Sequence, residues 1–290
     1  MKTVVTPPGQ RGFTLVELIM VIVIMGVIGG IVSVFMKSPI DAYFASARRA
    51  ALTDTADTTV RRMARDIQRA LPNSIRTSGA QCLEFIPTKT GARYRADDTA
   101  DGLSFDTAGD TFFKMLGSNT DFAGVANGLP ANQRIVSGDV IVVYNLGITG
   151  ANAYDQTNTA VVNGAPLSTG PASAPETAIT VISSQPPASP TFPLASGSSR
   201  FQVVAADELQ VAYVCSGSNL YRTASTAFTP AAACPTTGSI IAANVNCAST
   251  AFNYSGSDLQ RNALVSMVLT VTDSGESVTL QHEVHVSNTP

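Results

Sequence analysis

From Leu18 to Met36 the chain carries no charged residue. As a helix rising about 1.5 Å per residue, that run reaches about 28 Å, the thickness of a bilayer's hydrocarbon core. The run therefore predicts a membrane-spanning segment at 18–36, and whatever follows must fold outside the bilayer. A secretory signal peptide places its small-residue cleavage site after the apolar core. Here Lys2, Arg11 and Gly12 all come before it. A cut at Gly12 removes a hydrophilic leader, residues 1–12, and leaves the anchor attached. Basic residues ahead of the span put the N-terminus in the cytoplasm and the rest of the chain on the other side.

Glu17 stands next to the apolar run, and a carboxylate at mid-membrane costs about 2.5–3.5 kcal/mol. Its near-terminal position lowers that cost. With a cut between Gly12 and Phe13, the new α-amino group lies four residues before Glu17. The two charges can pair within one helical turn or between neighbouring copies of the helix.

The stretch Arg11-Gly12-Phe13-Thr14-Leu15-Val16-Glu17 resembles the class III signal of type IV pilins and type II secretion pseudopilins. The resemblance implies that a prepilin peptidase cuts after Gly12 and methylates Phe13. It also implies that Glu17 pairs with the terminal amine of an adjacent subunit during filament growth. The family's mid-helix glycine falls on Gly26, whereas its usual helix proline falls on Val34, and this chain has Pro39 instead.

Beyond the span, Phe44, Ala47, Leu52, Ala56, Val60, Met63, Ile67 and Leu71 recur at helical spacing, with Pro72 as a stop. One helix is expected over 13–71, about 88 Å long and kinked or broken at Pro39. Arg61, Arg62, Arg65 and Arg69 lie mostly opposite that apolar stripe, so they read as a solvated face, with Asp66 pairing to Arg62 or Arg69. Without Lys2 and Arg11, 16 basic residues face 21 acidic ones, which gives no reason to expect a nucleic-acid partner.

After Pro72 the period becomes extended. Strands are expected at Cys82–Ile86, Gly138–Asn145, Glu208–Cys215, Leu220–Arg222, Ser239–Asn246 and Ala251–Tyr254, and weakly at Gly102–Asp106. The clearest hairpin joins Ala263–Thr272 to Glu276–Ser287 through Asp273-Ser274-Gly275. Residues 164–199 hold seven of the sixteen prolines and read as surface loop with at most a short strand at 178–182. The fold class is α+β, a long N-terminal helix packed on an antiparallel sheet, within a globular part at 72–290. The Arg-rich helix end and closing strands resemble the larger minor pilins, the J-like pseudopilins and the O-type minor pilin of the MSHA pilus.

Cys82, Cys215, Cys234 and Cys247 lie outside the cytosol on this reading, so disulfides are allowed, and three connectivities are open. No CxxC pair points to zinc. His282 and His285 fall on opposite strand faces, with His282 expected to be partly buried. Asp97-Asp98-Thr99-Ala100-Asp101-Gly102 partly imitates a calcium loop, with Asp106 and Asp110 as further carboxylates, but Ala108 stands where the closing glutamate belongs. No GxSxG, Walker loop or HExxH occurs, and neither an enzyme nor a resident cofactor is expected.

The expected function is that of a minor pilin or pseudopilin, a structural subunit that primes or completes a type IV, MSHA-like pilus. Its expected partners are the prepilin peptidase, other minor and major pilins, the inner-membrane assembly platform and the membrane itself. Two alternatives are a J-like subunit of a type II secretion system, and a tip adhesin using the 164–199 loop on a surface or glycan. The inner membrane, with the C-terminal domain in the periplasm, is the expected location, and after assembly the pilus or its tip.

Overall fold

The computed structural model describes residues 12–96, 101–122, 126–255 and 262–290. The chain divides into two compact units, one ending at Ala51 and one spanning Leu52–Pro290. Helix α1 (Leu15–Ile67) contributes to both and is uninterrupted at Pro39, so the expected break is not there. In the first unit the apolar side chains from Leu15 to Met36 are exposed, as is Phe44.

In the second unit the predicted stripe is buried through Leu52, Ala56, Val60, Met63 and Ile67. The helix ends before Leu71. Arg69 and Ala70 take tighter three-residue hydrogen bonds, and the Leu71 N–H donates to the Ile86 carbonyl at 2.7 Å. The chain leaves the helix because an extended partner competes for its backbone, before Pro72 is reached.

Among the described residues fifteen strands follow: β1 (Arg76–Thr77), β2 (Cys82–Phe85), β3 (Thr90–Tyr94), β4 (Phe112–Leu116), β5 (Val140–Val143), β6 (Thr159–Val162), β7 (Leu167–Thr169) and β8 (Glu176–Ser183). Then come β9 (Arg200–Val204), β10 (Gln210–Ser216), β11 (Asn219–Ser225), β12 (Ser239–Ala243), β13 (Ala251–Ser255), β14 (Asn262–Asp273) and β15 (Glu276–Ser287). They form three antiparallel sheets rather than one. A five-stranded sheet, β1-β2-β10-β11-β12, and a three-stranded sheet, β13-β14-β15, both face the helix stripe. Phe85, Tyr213 and Leu220 meet the helix from the first, and Val265, Met267 and Leu269 from the second.

Strands β2 and β10 pair directly, Val211 opposite Phe85, although the chain between them travels through seven other strands. Those seven are the third sheet. Its order is β4-β3-β9-β5-β6-β8-β7, and β4 also pairs with β8, so six strands close into a barrel with β7 alongside β8. Closure removes the open edges that a small sheet would expose. Phe113, Met115, Ile141, Val143, Val181, Phe201 and Val203 fill its interior. Outside, Val140, Val142 and Val204 pack with Leu71 and Ile86. A partly buried Lys89–Asp139 ion pair of 2.9 Å and hydrogen bonds from Asn145 Nδ2 to the Pro72 carbonyl and from Tyr154 Oη to the Ser74 carbonyl join barrel and helix–sheet core.

The barrel corrects the expected loop at 164–199. That stretch contains β7 and all of β8, and Thr191 and Phe192 are fully buried. Deleting it would open the barrel, so deletion cannot test for an adhesive loop. Gly102–Asp106 forms no strand, and His282 is exposed rather than partly buried.

Asp66, at the helix end, accepts hydrogen bonds from Tyr213 Oη (2.7 Å), Arg222 Nε (2.8 Å) and Arg69 (3.2 Å). Burial raises its carboxyl, but these donors outweigh burial and hold it below the usual carboxylate range. A carboxyl lowered by folding contributes stability above its unfolded value of about 3.9, and that contribution is lost as pH falls through the lower folded value. Thermal unfolding between about pH 4 and pH 2 should therefore fall more steeply in the wild type than in Asp66→Asn, which is less stable at pH 7; parallel acid limbs would refute this.

Candidate processing and assembly segment

Gly12, Phe13 and Thr14 are not helical, and α1 begins at Leu15. Phe13 is 88% exposed, and nothing lies within 4 Å of a Cβ built on Gly12. A peptidase needs such a reachable bond.

Thr14 caps the helix. Its Oγ1 accepts from the Glu17 N–H at 3.3 Å, while Glu17 Oε2 accepts from the Thr14 N–H at 3.0 Å and from Thr14 Oγ1 at 3.1 Å. This reciprocal arrangement is a capping box, readable in the sequence as Thr-x-x-Glu before an apolar run. Glu17 thus has a local structural role, beyond the electrostatic one expected of its charge. The capping box satisfies helix-end N–H groups that lipid could not, and it puts negative charge at the positive end of the helix dipole. It also holds the carboxylate on the backbone nitrogen adjacent to Phe13. A cut after Gly12 would create the new amine one residue from a group Glu17 already contacts.

The window of α1 apolar enough to cross a membrane has no buried residue. Exposing so much aliphatic surface to water is costly, so the segment needs lipid or other helices around it.

The four cysteines form two disulfides, Cys82–Cys234 and Cys215–Cys247. Cys82 and Val214 are cross-strand partners, so the two bridges sit at the same end of the β2–β10 pair but on opposite faces, Cys82–Cys234 beside Val214 and Cys215–Cys247 in the helix-facing core. Cys82, Glu84 and Cys234 converge as a metal site might, but neither sulfur is a thiolate. Both Glu84 oxygens are engaged: one by Arg76, the other by the Ala233 and Cys234 N–H groups. The cluster is structural.

Asp97 lies outside the described residues. Asp101 is paired with Lys114 Nζ at 2.6 Å, which holds its carboxyl below the usual range. Asp110 accepts from the Ser104 and Phe112 N–H groups, and among the described residues Asp101, Asp106 and Asp110 do not converge as a ligand cluster.

The family model described as the prokaryotic N-terminal methylation motif matches residues 7–33. No curated protein and no solved structure matches the chain.

Proposed function

We infer that this chain, whose methylation motif and long apolar helix support a type IV pilin or pseudopilin role, is a minor pilin that primes or completes a type IV pilus of the MSHA kind. The observation that carries this reading is the exposed apolar helix behind an accessible Gly12–Phe13 bond, with Glu17 held at its first turn. After prepilin peptidase cleavage and N-methylation, the helix would leave the bilayer for the filament core. Neighbouring helices then replace lipid around Leu18–Met36, and the charge of Glu17 meets an amine. On this reading the unit from Leu52 onward faces the periplasm before assembly and the filament surface, near its tip, afterwards. Its size and inserted barrel favour a low-copy subunit over the repeating one.

The test is the mature N-terminus by mass spectrometry, in cells with and without prepilin peptidase and in Gly12→Ala. A chain starting at N-methylated Phe13 only when both enzyme and Gly12 are present is the expected result. An intact Met1, or a cut beyond Met36, would overturn the assembly reading.

A further inference from the structure

The two disulfides interlace. In chain order the cysteines are Cys82, Cys215, Cys234 and Cys247, and the bridges join the first to the third and the second to the fourth. Consecutive pairing would instead give Cys82–Cys215 and Cys234–Cys247. The fold brings those wrong partners close. Strands β3 to β9 all lie between Cys82 and Cys215, and Thr90 opposite Val203 ties the two ends of that insertion together. With the barrel folded, about 20 residues remain to be closed between Cys82 and Cys215, against about 40 between Cys82 and Cys234. About 13 residues separate Cys234 from Cys247, against the 32 of Cys215–Cys247. Loop closure therefore favours each consecutive pair, by about threefold and about fourfold respectively. Strand pairing also carries Cys215 to Cys82: Val214 is the cross-strand partner of Cys82, and the Cys215 N–H donates to the Gln81 carbonyl at 2.9 Å. Yet the two side chains leave opposite faces, Cys82 packing with Ala212 and Val214, and Cys215 with the helix stripe. A Cys82–Cys215 bridge would have to cross the β2–β10 pair, so it excludes the native sheet.

We propose that this chain is a substrate of a disulfide isomerase, which converts a Cys82–Cys215/Cys234–Cys247 intermediate to the native pairing. The proposal rests on the reading that the unit from Leu52 onward faces the periplasm. There the chain is exported behind its N-terminal anchor, so Cys82 and Cys215 arrive before Cys234 and Cys247. A thiol oxidase of that compartment takes two electrons and two protons from each consecutive pair. The isomerase is a protein with a reactive thiolate, and its reaction is redox-neutral. Its thiolate attacks Cys215 Sγ, the Cys82–Cys215 bond breaks, and Cys82 leaves as a thiolate. Cys82 then attacks Cys234 Sγ and releases Cys247, and Cys247 attacks Cys215 Sγ and returns the isomerase thiolate. Two disulfides are present before and after. Closure of the sheet makes the product final, because Cys82 and Cys215 become buried where a further thiolate cannot reach them.

Pulse-chase of the full chain in cells with and without the periplasmic disulfide isomerase tests this, with acid quenching, alkylation and mass spectrometry of the disulfide-linked peptides. With the isomerase, Cys82–Cys234 and Cys215–Cys247 should be the end products, preceded by Cys82–Cys215. Without it, Cys82–Cys215 and Cys234–Cys247 should persist, and the native pairs should fall about tenfold, the product of the two loop preferences. Replacing Cys82 and Cys234 by serine, or Cys215 and Cys247, leaves one native pair and no rival. Each such variant should form its remaining bridge at the same rate with or without the isomerase, read during the pulse so that a variant too unstable to accumulate still reports. Native pairs formed at equal rate and yield without the isomerase would overturn the proposal, as would a double-serine variant that needs the isomerase as much as the wild type does. Four alkylated thiols in the wild type would overturn the periplasmic reading, and the proposal with it, and no other outcome has that signature.

Discussion

Replacing Cys82 and Cys234 together by serine should lower the unfolding free energy by about 5 kcal/mol if the second unit unfolds in one step. The bridge spans 152 residues and the other spans 32. Chain-entropy arguments give about 5 kcal/mol for the longer loop and about 4 kcal/mol for the shorter. The barrel complicates this comparison usefully. Thr90 and Val203 are cross-strand partners, so a barrel that stays folded while the helix–sheet core opens already holds the two ends of its insertion together. The loop left to close is then roughly 40 residues, and both bridges should be worth about the same, near 4 kcal/mol. Denaturant unfolding of the two double-serine variants, followed by circular dichroism, measures the difference. A gap of about 1 kcal/mol means one cooperative unit; equal losses with a second transition mean that the barrel is separately stable. If the Cys82–Cys234 change costs less than the Cys215–Cys247 change, loop closure is not what the longer bridge contributes.

What the sequence made legible follows from how local each signal is. Leu18–Met36 needs no partner to be read, and neither does the alternation of Ser277–Val286 or the Ser274-Gly275 turn, whose positive φ angles of 48° and 84° suit a tight hairpin. The helix stripe was readable from Leu52 to Ile67, because one face of a helix is written within a few turns. The barrel was not. Its strands are short, and β3 reads Thr-Gly-Ala-Arg-Tyr, with one large apolar residue among five. In 164–199 the prolines dominate the composition. Yet Pro166, Pro171 and Pro175 bracket β7 and β8 rather than interrupt them, so the same residues that mark a loop mark the ends of strands. Disulfide pairing and the joining of β3 to β9 depend on register between segments more than a hundred residues apart in two of the three cases, and no local pattern encodes that. The capping box was legible and overlooked, because Glu17 already had a reading as a charge.

Glu84→Ala should be among the most damaging single changes outside the membrane segment, costing about 3–5 kcal/mol. Glu84 is fully buried on β2, and Arg76 is its one counter-charge among the described residues, at 2.9 Å. Arg76 in turn donates to the Thr229 and Pro230 carbonyls, and its guanidinium lies 3.6 Å from the centre of the Tyr154 ring. Removing the carboxylate leaves a mostly buried cation without an anion and two N–H groups, of Ala233 and Cys234, without acceptors. Glu84→Gln keeps an oxygen for those N–H groups but sets an amide N–H against the Arg76 guanidinium, so it should cost less than alanine without being neutral. Because Cys234 is held both by this carboxylate and by its disulfide, combining Glu84→Ala with the Cys82/Cys234 serine pair should cost less than the sum of the two. Once the bridge is gone, the 229–234 segment can leave with little further loss. Additive costs would mean that the ion pair stabilises β1 and β2 themselves, through Arg76 opposite Glu84, rather than the segment laid across them.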